Sequence, residues 1–134
     1  MNESTTLLIV DDDQHIRQLI RTSLDNGRRR IREAGTARDG LHRVIDIQPH
    51  ILLVDIGLPG HFDGFSLCEA LTNDPQHRKI KIIVVSGHSD PEDIERAKRL
   101  GIAAYVVKPF SPRDLSRLVD DIEIDIHAMP VLKS

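Results

Sequence analysis

The sequence predicts an α/β domain in which five strands alternate with five helices around one parallel sheet. Short, nearly continuous apolar runs recur along the chain, stretches of helical period separate them, and capping residues stand at the joins. Continuous apolar runs suit strands that helices cover on both faces, and strict alternation requires right-handed crossovers.

The first strand is expected at residues 7–10, followed by a helix with the stripe Ile16, Leu19, Ile20 and Leu24. Asp13 can cap that helix, and Gly27 lies just past its end. The second strand has only one candidate, residues 30–34. It is strongly charged (Arg28, Arg29, Arg30, Arg32, Glu33), as expected of an edge strand protected against edge-to-edge pairing. The arginine run therefore reads first as a solvated edge and only second as a docking patch. Leu41, Val44 and Ile45 mark the second helix, residues 51–54 the third strand, and Phe65, Cys68 and Leu71 the third helix. The fourth strand falls at residues 80–85. A helix with Ile94, Ala97 and Leu100 follows, then a strand at 103–107 and a helix with Leu115, Leu118, Val119, Ile122 and Ile126. Asp90-Pro91 and Ser111-Pro112 have the N-cap and first-position pattern of the last two helices, and Gly101 closes the fourth.

The chain of 134 residues is sized for one core; residues 1–128 are expected to form the domain and 129–134 a short tail. A net charge of −3 gives no reason to expect nucleic acid or an anionic membrane as partner. The apolar runs are far too short to span a bilayer, and residues 1–6 leave no room for a signal peptide. Cys68 is the only cysteine, which suits a reducing cytoplasm and a small buried hydrophobe.

In an open parallel sheet the ligand site lies beyond the carboxyl ends of the strands. There the chain delivers Asp11, Asp12 and Asp13 after Val10, Asp55 after Val54, Ser86 after Val85 and Lys108 after Val107. Each alone reads as a cap, a turn or a solvated charge. Together they make a site of complementary charge. Clustered carboxylates repel one another and recruit a cation, and oxygen ligands without His or Cys favour Mg²⁺. Lys108 and Ser86 could hold the oxygens of a phosphoryl group, with Asp55 placed as nucleophile. The seven histidines show no metal-ligand spacing and read as surface or loop residues.

With Leu-Ile-Val-Asp11-Asp12, Leu-Leu-Val-Asp55-Ile-Gly-Leu-Pro59, Ile-Ile-Val-Val-Ser86-Gly87 and Tyr105-Val-Val-Lys108-Pro109-Phe110, the chain resembles the receiver domains of two-component response regulators, the single-domain chemotaxis type included. The resemblance runs from about residue 7 to 126. It implies a doubly wound (βα)5, flavodoxin-like fold with strand order 2-1-3-4-5. It also implies a domain that is not an enzyme but takes a phosphoryl group from a sensor histidine kinase or phosphotransfer protein. In such domains Asp55 is the phosphoacceptor; Asp11, Asp12, Asp55 and the Gly57 carbonyl hold Mg²⁺; Lys108 and Ser86 attend the phosphoryl; Ser86 and Tyr105 act as the switch. The Lys108–Pro109 bond is commonly cis. Output goes to a downstream protein or a second copy through residues 94–100, Tyr105 and 115–119. One departure is visible: the stretch between Pro59 and Asp63-Gly64 is one residue longer than usual.

Three rival readings fit less well. An aspartyl-phosphate hydrolase would resemble its relatives in an Asp-x-Asp motif, where this chain has Asp55-Ile56-Gly57. A flavodoxin-like electron carrier would need a hydroxyl- and amide-rich phosphate cradle in place of Asp11-Asp12-Asp13. A degenerate receiver would lack part of the complete acidic and basic set.

Overall fold

A computed structural model describes residues 4–127; the tail at 129–134 lies outside the described residues. The chain runs β1 (Thr5–Val10), α1 (Gln14–Leu24), β2 (Arg29–Ala34), α2 (Ala37–Ile47), β3 (Ile51–Val54), α3 (Gly64–Thr72), β4 (Lys81–Ser86), α4 (Pro91–Arg99), β5 (Ala104–Val107) and α5 (Pro112–Ile126). All strand pairs are parallel, in the order β2-β1-β3-β4-β5. Fold class and strand order are those expected from the sequence, and the strand ends differ by one or two residues, within the fraying of any such boundary.

Two apolar layers sandwich the sheet because successive side chains alternate faces. Leu8, Val10, Leu52, Val54, Ile82 and Val84 meet Val44, Leu67, Cys68, Leu71 and Ala97 on the side of α2, α3 and α4. Leu7, Ile9, Ile51, Leu53, Ile83 and Val85 meet Ile20, Leu24, Leu115 and Val119 on the side of α1 and α5. The central strands are therefore buried on both faces, which is why their sequences do not alternate. Cys68 is among these residues, and burial pushes its thiol up to about 12, so it is an inert packing group.

Capping follows the sequence closely. The side chains of Asp13, Thr36, Asp63 and Ser111 accept backbone N–H groups of α1, α2, α3 and α5. Pro91 and Pro112 open their helices, and Gly101 adopts φ +73°; Asp90 occupies the N-cap position of α4 without a side-chain bond. This helix is lightly held. Only Ala97 of α4 is buried, and the Arg96 guanidinium clamps it to α3, 2.5 Å from Glu69 and 4.2 Å above the Phe65 ring.

The arginine run divides. Arg28, Arg30 and Arg32 are exposed along the edge of β2, but the Arg29 side chain is only 2% exposed. Its guanidinium donates to Leu24 O at 2.9 Å, to Asp120 Oδ1 at 2.7 Å and to Glu123 Oε1, joining β2 to the end of α1 and to α5. The solvated-edge reading fails for this residue because a guanidinium with all three nitrogens engaged can be buried, and strand alternation turns Arg29 inward.

Burial alone would raise the pKa of Glu123, but the hydrogen bonds from Arg29 and Thr5 and the nearby positive charge of Arg29 together outweigh it and the pKa is lowered. A lowered carboxylate contributes stability above its ordinary value of 4.5 and loses it as pH falls through the folded value. Arg29→Met should therefore cost about 2 kcal/mol at neutral pH, the scale of charged hydrogen bonds. In urea titrations its deficit against the wild type should shrink as pH drops below 4.5. A deficit that stays constant through that window would show that packing of the Arg29 stem, not its charge, is what counts.

Candidate functional site

The carboxyl edge of the sheet gathers the polar residues by continuing its ladders. Asp11 N donates to Ala34 O at 3.2 Å, Asp55 N to Val10 O at 3.0 Å and Lys108 N to Ser86 O at 2.7 Å. Three strand ends thus hold their side chains in register with the sheet rather than on free loops. The Lys108–Pro109 peptide is cis, in keeping with the family pattern.

Lys108 Nζ lies 2.8 Å from Asp11 Oδ2 and 3.1 Å from Asp55 Oδ2, so one ammonium is shared by two nearly buried carboxylates. The other oxygens are also engaged: Asp11 Oδ1 accepts from Asp13 N at 2.9 Å and Asp55 Oδ1 from Gly57 N at 2.8 Å. Burial raises the pKa of Asp11, and the bonds from Lys108 and Asp13 only partly offset it. Burial by itself would lower the pKa of Lys108, yet the two carboxylates more than compensate and it is raised. Asp12 is exposed beside them, and one oxygen from each of Asp11, Asp12 and Asp55 falls within 4.8 Å of the others. Three converging carboxylates and no nitrogen or sulfur ligand fit a hard divalent cation.

The backbone around this cluster is fixed from two sides. Arg17 Nη1 donates to Asp11 O at 2.7 Å while its Nε holds Glu33 at 2.9 Å, which ties α1 and β2 to the turn after β1. Gly64, the first residue of α3, passes so close to Asp55 that a Cβ there would lie 2.3 Å from the Asp55 carbonyl oxygen. The loop in between carries the additional residue noted in the sequence. Gly60 absorbs it with φ +101°, and Phe62 turns back onto the apolar layer under the Arg38 guanidinium, 5.8 Å from the ring centre.

Ser86 and Tyr105 meet at the loop from β4 to α4. Ser86 is fully buried, and its Oγ accepts from His88 N at 3.1 Å. Tyr105 Oη donates to His88 O at 2.8 Å, so both side chains grip the same residue in the loop from β4 to α4. Burial raises the Tyr105 pKa, which keeps the phenol protonated as a donor. Sequence reasoning passed over His88. Its ring lies where a Cβ on Gly57 would touch Cδ2 and Nε2 at 3.5 Å, over the loop that follows Asp55. No spacing rule points to it.

The chain is matched over residues 7–120 by the family of response regulator receiver domains. It is 34% identical to the transcriptional regulatory protein GltR of Pseudomonas aeruginosa over 110 residues, which cover 82% of this chain and 45% of that protein. It is also 34% identical to the KDP operon transcriptional regulatory protein KdpE of Escherichia coli, covering 83% of this chain and 48% of the relative. The chain thus spans about half the length of these curated relatives. A CheY-like receiver domain protein from Methanospirillum hungatei superimposes with a TM-score of 0.83 at 29% identity, covering 92% of this chain and 96% of that one. No helix among the described residues is long and apolar enough to cross a membrane. Fold, charged edge and relatives agree, and the chain belongs to the response regulator receiver domains of two-component signalling.

Proposed function

We propose that this receiver is switched by transfer of a phosphoryl group to Asp55 from a phosphohistidine on a sensor histidine kinase or phosphotransfer protein. The observation that carries the reading is the Lys108 ammonium poised between Asp11 and Asp55, beside a third carboxylate. An Asp55 carboxylate oxygen forms the new bond to phosphorus. The P–N bond breaks, and its electron pair leaves with the donor imidazole. Asp11, Asp12, Asp55 and the Gly57 carbonyl would hold Mg²⁺, which when bound supplies the positive charge that lets a phosphoryl dianion approach. Lys108 can stay with Asp11 while its remaining donors take up a phosphoryl oxygen. The chain acts as a signalling domain and not as an enzyme that turns over substrate. Its setting is the cytoplasm, with neither nucleic acid nor membrane bound directly, and residues 1–128 are the working unit.

The output follows from the grip on His88. A phosphoryl oxygen on Asp55 accepts from the Ser86 O–H and draws Oγ away from the His88 N–H, and Tyr105 follows the loop inward. The α4-β5-α5 face then has two arrangements, and a downstream protein or a second copy of the domain binds one of them better.

Three outcomes test this reading. Incubation with acetyl phosphate should add one phosphoryl mass in Mg²⁺, none in EDTA and none in Asp55→Asn; an undiminished yield in that variant would sink the assignment. Lys108→Ala, which strips Asp11 and Asp55 of their shared counter-charge, should lower the melting temperature modestly without Mg²⁺, recover in its presence, and lose the amide-exchange response to beryllofluoride. A sharp fall in melting temperature with the response intact would make the lysine structural. Beryllofluoride should also change amide exchange across residues 94–119 of the wild type. Changes confined to the loops around Asp11, Asp55 and Ser86 would show that the signal leaves by another route.

A further inference from the structure

At the opposite pole of the sheet, where β3, β4 and β5 begin, lies a half-open cavity of about 540 Å³. That volume falls in the range of small-molecule sites, roughly 300–1,000 Å³. Its charged and imidazole lining comes from His50, His77, Arg78, Lys79 and Lys81, and no carboxylate lines it. Gln48 and Gln76 add amides, while Pro49, Ile80, Ala103 and Ile126 supply apolar surface. A concave cationic lining of this kind is unexpected in a chain of net charge −3, and the phosphorylation chemistry makes no use of it.

The frame of the cavity is rigid. His50 N donates to Thr6 O at 2.9 Å, Lys81 N to His50 O at 3.0 Å and Ala103 N to Ile82 O at 2.8 Å, so the strand starts are fixed by the ladders. The turn at 74–80 is wound around Asp74, whose Oδ1 accepts from Gln76 N at 2.9 Å. Its Oδ2 lies 2.9 Å from His77 Nδ1. The His77 side chain is nine-tenths buried, at 10% exposure, and its Nε2 has no protein partner among the described residues. A ring held by a carboxylate at one nitrogen is oriented to offer the other to a ligand. Among the described residues, Asp125 competes for Lys81 from the rim; at 3.6 Å and 77% exposed it makes a loose pair of small worth.

We infer that this cavity is a binding site for a small organic anion, a carboxylate or phosphate head on a flat or apolar body. The head would sit among His77, Lys79 and Lys81, completing a chain from Asp74 through the His77 ring to the anion. The body would lie on Pro49, Ile80 and Ala103. The site is independent of Asp55, so its failure and that of the phosphorylation reading are separable.

The test is a two-dimensional NMR titration of the full chain with adenosine monophosphate and with benzoate, using adenosine as the uncharged control. Both anions should give saturable shifts at residues 48–50, 76–81 and 101–103, and adenosine none. The double variant Lys79→Gln/Lys81→Gln, which alters only side chains at the cavity mouth, should weaken binding by about tenfold or more, equivalent to about 1.4 kcal/mol. His77→Gln, checked for folding by its own spectrum, should do the same. Absence of saturable shifts with both anions at millimolar concentration would overturn the inference. So would equal shifts with adenosine, shifts confined to the Asp11–Asp55 edge, or unchanged affinity in the double variant. Acetyl phosphate labelling of Asp55 should be unaltered in every one of these variants.

Discussion

Everything at the carboxyl edge depends on one ammonium shared by two nearly buried carboxylates. Asp11 and Asp55 are brought together by adjacent strands, and like charges so close would repel strongly in a setting with little water. Lys108 relieves this from β5, two strands away from β3. The relief is incomplete, since one ammonium faces three clustered carboxylates. A site left with surplus negative charge is ready for a cation, while a site fully neutralised by protein would have no use for one. The fold therefore keeps its central strands purely apolar and concentrates the electrostatic imbalance at their ends.

Most of the architecture was readable because helix and strand obey different periods and the caps mark the joins. The four apolar strands and all five helices follow from Leu, Ile and Val placement together with Asp13, Pro91, Gly101 and Pro112. Arg29 was not readable. Its neighbours Arg28, Arg30 and Arg32 are solvated as composition suggests, and only the position of α5 in space reveals that Asp120 and Glu123 wait for the one arginine that points inward. A charge's burial depends on partners about ninety residues away, which no local pattern encodes.

The site divides in the same way. Residues that end strands, such as Asp11, Asp55 and Lys108, can be located by counting along apolar runs, since the ladder fixes where each side chain emerges. Residues whose role depends on loop conformation cannot. His88 becomes a shared anchor for Ser86 and Tyr105 through its backbone, which carries no sequence signature. His77 is similar: a histidine in a charged run looks solvated until the Asp74 turn folds it inward. The longer loop before Asp63 is the reverse case, a visible irregularity with little structural consequence, because Gly60 and Phe62 absorb it.

The Arg96 clamp gives α4 an adjustable set point. A helix anchored by one buried alanine and one guanidinium resting on Glu69 and Phe65 has few contacts to break when it shifts. Inverting a population from one per cent to ninety-nine takes about 5.5 kcal/mol of differential interaction. A cation–π contact plus an exposed ion pair amounts to about 1–2 kcal/mol of that. On the proposed function, exchanges at positions 69 and 96 would raise or lower the sensitivity of the switch in small steps while leaving the carboxylate edge untouched. Such a clamp lets the poise of α4 drift over generations without any change at the residues that end the strands.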